Sequence, residues 1–147
     1  MQFNPFELIF FPNFHFKNNA PPKPKFFISL SNINGNIVVV SLPSSQDFVP
    51  DSIKVEGCIE YPDRCISCFC FFKDSIICDN TGFKFSKDTF VYANGVDIYS
   101  IDKLRNTYPI KNIDYLVKGE ISGDLKDKLY HCLKNSFDIK RKIKRIL

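Results

Sequence analysis

PPKPKFFISLSNINGNIVVVSLPSSQDFVP, residues 21–50, decides how this chain folds. Two apolar runs, FFISL and IVVVSL, flank Asn34-Gly35. Asn-Gly tolerates the positive φ that a two-residue hairpin turn needs at both central positions, so the stretch reads as an antiparallel hairpin over about residues 25–42. Lys23 and Lys25 stand in a proline-bracketed segment before the first run, and Ser44, Ser45, Gln46 and Asp47 follow Pro43 after the second. The start of one strand and the end of its antiparallel partner are neighbours, so the cations and the hydroxyls are expected at one end of the pair.

Outward from the hairpin the same chemistry repeats. FELIFF, FHF, CISCFCFF, SIIC, FKF, TFVYA and VDIYSI are short runs of Phe, Val and Ile broken by turn residues, and each reads as a strand. Asn94-Gly95 is a second tight-turn signal, and DNTG at 79–82 a looser one. IDKLRNTYP leaves room for a helical turn or two, and NIDYLVKGEIS reads as one more strand. The sequence therefore predicts a mainly β, α+β chain: a small, curled antiparallel sheet or barrel over about residues 6–121.

The C-terminal segment follows another period. Leu125, Leu129, Leu133, Phe137, Ile143 and Leu147 recur at near-helical spacing after Ser122, a candidate N-cap. Asp124 and Asp127 fall in the first turn and KRKIKR in the last, the favourable sense for the helix dipole. An amphipathic helix over about residues 123–145, packed across the sheet, is the expectation.

With 147 residues, 44% of them hydrophobic and sixteen of them Phe, the chain suits one folded domain over 1–147 with a real core. The net charge of +4 sits largely in the basic tail and permits an anionic partner without requiring one. No run of about 18 apolar residues occurs and the N-terminus lacks a basic leader, so neither a membrane span nor a signal peptide is predicted. Cys68 and Cys70 lie two apart on one strand face, where a mutual disulfide is awkward, and reduced cytoplasmic thiols are the reading. Cys65-x-x-Cys68, with Cys58, Cys70 and Cys78 nearby, raises zinc, but one pair inside an apolar strand suits buried thiols better. No metal or other cofactor is expected.

KPKFFISL, VVVSLPSS and VKGEISGDLKDKLYHCL together resemble the MazF/PemK-like toxins of bacterial type II toxin–antitoxin systems. The likeness covers about residues 14–45 and 116–135; the segment 46–113 has no counterpart. It implies an SH3-like small antiparallel barrel with a C-terminal helix, a homodimer, a cognate antitoxin protein as partner, and metal-independent cleavage of single-stranded RNA to 2′,3′-cyclic phosphate and 5′-OH ends. In the family an Arg before the first strand and a Thr or Ser after the second form the catalytic pair, and here Lys23 and Ser44 occupy those positions. Lys25, Ser45, Gln46 and His15 are then candidates for RNA contact. Lysine replaces a planar fork with a point charge, and serves in proton exchange only where burial lowers its pKa.

Other readings stand beside this one. Lys23 and Lys25 also suit a solvated, proline-stiffened loop guarding a strand edge, and Ser44 to Asp47 suit a turn. His15 and His131 suit surface positions. Two further function classes fit the composition: a non-catalytic RNA-binding barrel, and a protein-interaction module whose groove takes a peptide.

Overall fold

The hairpin forms where the sequence puts it. Asn34 and Gly35 both take positive φ, 49° and 78°, and Ile33 pairs with Asn36 across the turn. The computed structural model describes residues 2–43 and 49–147, and its strands are β1 (Glu7–Phe14), β2 (Lys23–Ile33), β3 (Asn36–Ser41), β4 (Gly57–Tyr61) and β5 (Ile66–Phe71). They continue with β6 (Ile76–Cys78), β7 (Phe83–Lys84), β8 (Thr89–Tyr92), β9 (Val96–Ser100) and β10 (Leu116–Glu120). The helices are α1 (Ile101–Thr107), α2 (Gly123–Lys134) and α3 (Arg141–Lys144).

The strands make a five-stranded sheet in the order β10-β1-β2-β3-β9, a three-stranded sheet β4-β5-β8 and a β6-β7 ribbon, with every ladder antiparallel. The chain is thus mainly β with a few helices. Among the described residues none of the three sheets closes into a barrel.

Both faces of the large sheet are buried, which is why its strands read as nearly continuous apolar runs. Leu8, Ile28, Leu30, Val38 and Val40 face a core shared with Phe69 and Phe71 of β5, Val91 of β8 and Leu129 and Leu133 of α2. Ile9, Phe11, Phe14, Phe27, Ile37 and Val39 face the other way, under Leu104, Tyr108 and Tyr115. Strand β5 divides likewise: Cys68 and Cys70 join Ile59 and Phe90 in a third cluster, opposite Phe69 and Phe71. Phe69 is fully buried, and truncating it to Ala would cost about 3–5 kcal/mol.

Side chains cap both edges of the five-stranded sheet. On β10, Glu120 N–H donates to Asn80 Oδ1 (3.1 Å) and Thr81 Oγ1 donates to the Lys118 carbonyl (2.6 Å). The 78–82 turn comes so close that a Cβ on Gly119, φ 143°, would stand 2.7 Å from Cys78 Cβ. On β9, Lys17 Nζ donates to the Ile98 carbonyl at 2.7 Å.

Four expectations need correction. The predicted 123–145 helix is broken: α2 ends at Lys134, and only α3 resumes it. The intervening backbone finds better partners outside a helix, for Phe137 N–H donates to Glu60 Oε1 (3.3 Å) and Asp138 N–H to the buried Ser136 hydroxyl (3.1 Å). The cysteines are not all reduced, since Cys58 of β4 and Cys132 of α2 form a disulfide. Asn94-Gly95 makes no hairpin; a 3₁₀ turn over Ala93–Gly95 carries the chain from β8 in one sheet to β9 in another. His15 and Phe16 are not a separate strand, because β1 runs on to Phe14 and ends there.

Ser122 stands at the N-cap of α2, but its hydroxyl is used elsewhere. It accepts from Asp79 N–H (3.0 Å) and donates to the Ile77 carbonyl (3.1 Å), tying the helix start to β6.

Candidate functional site

Lys23 and Lys25 are the first and third residues of β2, opposite Phe14 and Phe11 of β1. Pro24 between them lacks an N–H, which a strand tolerates at its start. Alternation puts Lys23, Lys25 and Phe27 on one face, so the two ammonium groups extend the outer end of the Phe11–Phe14–Phe27 aromatic cluster. Phe16, just past β1, receives both: Lys23 Nζ lies 5.6 Å and Lys25 Nζ 5.9 Å from its ring centroid, within cation–π reach.

The two lysines differ in exposure. Lys23 is exposed, whereas Lys25 is only 9% exposed. Burial first, and the charge of Lys23 second, hold the Lys25 pKa below the ordinary lysine value. Among the described residues neither lysine forms an ion pair. Lys17 is the contrast, with Asp97 at 3.1 Å, the Ile98 carbonyl and the Tyr99 ring all engaging its ammonium.

The far strand of the hairpin returns to this point. Leu42 N–H donates to the Phe26 carbonyl at 3.0 Å, placing the exit of β3 beside the entry of β2. Lys25, Leu42, Pro43, Lys87 and Thr89 line one cleft of about 270 Å³. Ser44, Ser45 and Gln46, the expected hydroxyl and amide contributors, lie outside the described residues. Lys25, one of the two expected cations, therefore shares a cleft with Pro43.

His15 is exposed and belongs to a different cleft, which Lys23 and Lys25 do not line. Its backbone N–H donates to Tyr108 Oη at 2.8 Å. His131 is exposed on α2. The remaining thiols scatter: Cys65 is exposed in a left-handed turn, Cys68 and Cys70 are buried in one cluster and Cys78 in another. Burial, followed by the charges of Asp79 and Glu120, pushes the Cys78 thiol up to about 11. Among the described residues no three His, Cys, Asp or Glu side chains gather as metal ligands.

Sequence reasoning missed Phe16, the ring that both lysines share. Its signal was faint: an aromatic seven residues before Lys23, past the end of a strand, follows no periodicity. Chemically, two neighbouring ammonium groups with no carboxylate paired to them among the described residues, one of them on a mostly buried side chain, favour an anion. No family model matches the chain, and no curated protein or solved structure does either.

Proposed function

We propose that the entry of β2 is a phosphate site for single-stranded RNA and that the chain is a metal-independent endoribonuclease of the MazF/PemK-like kind, the toxin of a toxin–antitoxin pair. The observation that carries this reading is Lys25. A lysine 9% exposed, beside a second lysine and without an acidic partner among the described residues, has the Phe16 ring as relief and gains further from a bound anion. A phosphodiester supplies that anion.

The chemistry follows from the two lysines. The ribose 2′-oxygen attacks the adjacent phosphorus and gives up its proton, the P–O5′ bond breaks, and O5′ takes up a proton, leaving a 2′,3′-cyclic phosphate and a 5′-OH. Lys23 stabilises the charge that grows on the phosphoryl oxygens. Lys25, with its pKa lowered by burial, exchanges the proton more readily than an exposed lysine. Ser44 supplies the orienting hydroxyl by resemblance to the family.

The same proposal carries the SH3-like reading of the fold, in which the five-stranded and three-stranded sheets, packed over one core, are the two halves of the barrel. It also carries a homodimer, a cognate antitoxin and a cytoplasmic location. The Cys58–Cys132 disulfide pulls against that location, since disulfides persist mainly in oxidising compartments. No helix is long and apolar enough to cross a membrane among the described residues.

A second reading, RNA binding without cleavage, is favoured by lysine in place of the family's arginine, because a point charge grips phosphate without the bidentate geometry. One experiment separates the two. End-labelled RNA is incubated with the protein in a chelator, and products and binding are followed together. The endoribonuclease reading expects cyclic-phosphate ends, with Lys23→Ala and Lys25→Ala each slower by on the order of 100-fold. Intact RNA that binds the wild type and releases from both variants leaves the binding module. RNA that never binds rejects the site.

A further inference from the structure

We infer that the cleft between the end of β1, β9 and α1 holds the nucleobase next to the phosphate at Lys23, and that it prefers a carbonyl-bearing base, uracil or guanine, over adenine. The inference rests on the RNA reading above and adds a base site to it.

The cleft measures about 390 Å³, within the range of small-molecule sites. Phe14, Tyr99 and Tyr108 form its apolar walls, and His15, Lys103 and Thr107 stand at its mouth. It adjoins the lysine pair through a single ring. Phe14 meets Phe16 edge-on at 5.4 Å, and Phe16 is the ring over which Lys23 and Lys25 lie. A backbone whose phosphate sits at Lys23 would need to turn only past Phe16 to deliver its neighbouring base.

Several groups facing this space can donate, beside the Ser100 hydroxyl, which accepts from Lys103 N–H at 3.3 Å. Tyr108 Oη accepts the His15 N–H, so its own hydrogen is left to give, and among the described residues nothing receives it. The Tyr99 hydroxyl likewise makes no hydrogen bond among the described residues, and its ring face is covered by Lys17 at 4.2 Å, so it offers the base its edge. Lys103 is exposed and forms no ion pair among them. The Thr107 hydroxyl is occupied, donating to the Lys103 carbonyl at 2.8 Å. Donors of this kind match the O2 and O4 of uracil or the O6 and N7 of guanine, whereas adenine brings its own amino donor to the same edge.

The test uses non-cleavable 2′-O-methyl oligouridylate heptamers, with an abasic site or an adenine moved one position at a time. For the wild type, one position is expected to lose about tenfold in affinity when abasic, with a similar loss for adenine there. Thr107→Trp, which fills the cleft, and Lys103→Ala, which removes an exposed donor without touching the core, are both expected to flatten that position dependence. Binding by either variant should still weaken with salt, through Lys23 and Lys25. A flat abasic scan with wild-type protein, or a position dependence that survives both variants, overturns the base site while leaving the phosphate site standing. Heptamers that fail to bind the wild type overturn both.

Discussion

The two sides of the molecule treat buried polar groups in opposite ways. Where α2 docks on the small sheet, the buried polar groups are matched among the described residues: the Ser67 hydroxyl meets Ser136 and donates to Glu60 Oε2 (2.9 Å), Glu60 Oε1 takes the Phe137 N–H, and Cys58 closes on Cys132. At the entry of β2, Lys25 is 9% exposed beside another cation, with the Phe16 ring 5.9 Å from its ammonium and no ion pair among the described residues. Polar groups that merely hold a fold are satisfied within it. A charge that the fold leaves unpaired can take its partner from outside.

Three experiments sharpen that contrast. The largest effect is expected at the satisfied side: the Cys58–Cys132 link closes a span of 74 residues, so Cys58→Ser or full reduction should lower unfolding stability by about 4 kcal/mol. Denaturant titration with and without reductant measures it, and an unchanged midpoint would mean that the pair is not oxidised in solution. A smaller loss, about 1–2 kcal/mol, is expected for Ser67→Ala, which strips a buried hydroxyl partner from Ser136. Ser136→Ala on top of it should add less than its own single cost, because the two share one bond.

The smallest effect has the opposite sign. Lys25→Met should raise stability by about 1 kcal/mol and, if the proposed RNA site is right, abolish RNA binding, since it removes a mostly buried charge and the proposed anion site together. Its pH dependence follows from the lowered pKa. Unfolded, Lys25 keeps its proton up to 10.5; folded, it gives the proton up earlier, so between those two values the unfolded chain binds more protons and stability rises with pH. The advantage of Lys25→Met should shrink through that alkaline window, and the affinity of wild type for a single-stranded DNA probe, chosen because it resists alkali, should fall in the same window. A Lys25→Met protein less stable than wild type at neutral pH would break the comparison.

How much of this was legible in the sequence depends on how local the cause is. Asn34-Gly35 announces its hairpin because the turn's positive φ is a property of two adjacent residues. The lysines and Pro43 could be placed at one end of that hairpin for the same reason. The broken helix was not legible, because Ser136 leaves helical geometry for a contact with Ser67, distant in the chain. The same holds for Cys58 and Cys132, and for β4, whose GCIEY sequence becomes a strand by pairing with β5. Lys25 reads as a solvated loop residue until Phe11 and Phe16 are packed around it.

The capped edges of the five-stranded sheet limit how copies of this chain can meet. Strand-to-strand addition needs a row of unoccupied amide and carbonyl groups, and here Asn80 and Thr81 occupy part of that row on β10 while Lys17 occupies part of it on β9. Gly119 lets the 78–82 turn lie flush against its strand, so a side chain introduced there would lift the guard from the edge. Copies of this chain would then meet more readily through faces, loops or the smaller sheet, and Gly119 would stand as a gatekeeper against fibre-like stacking.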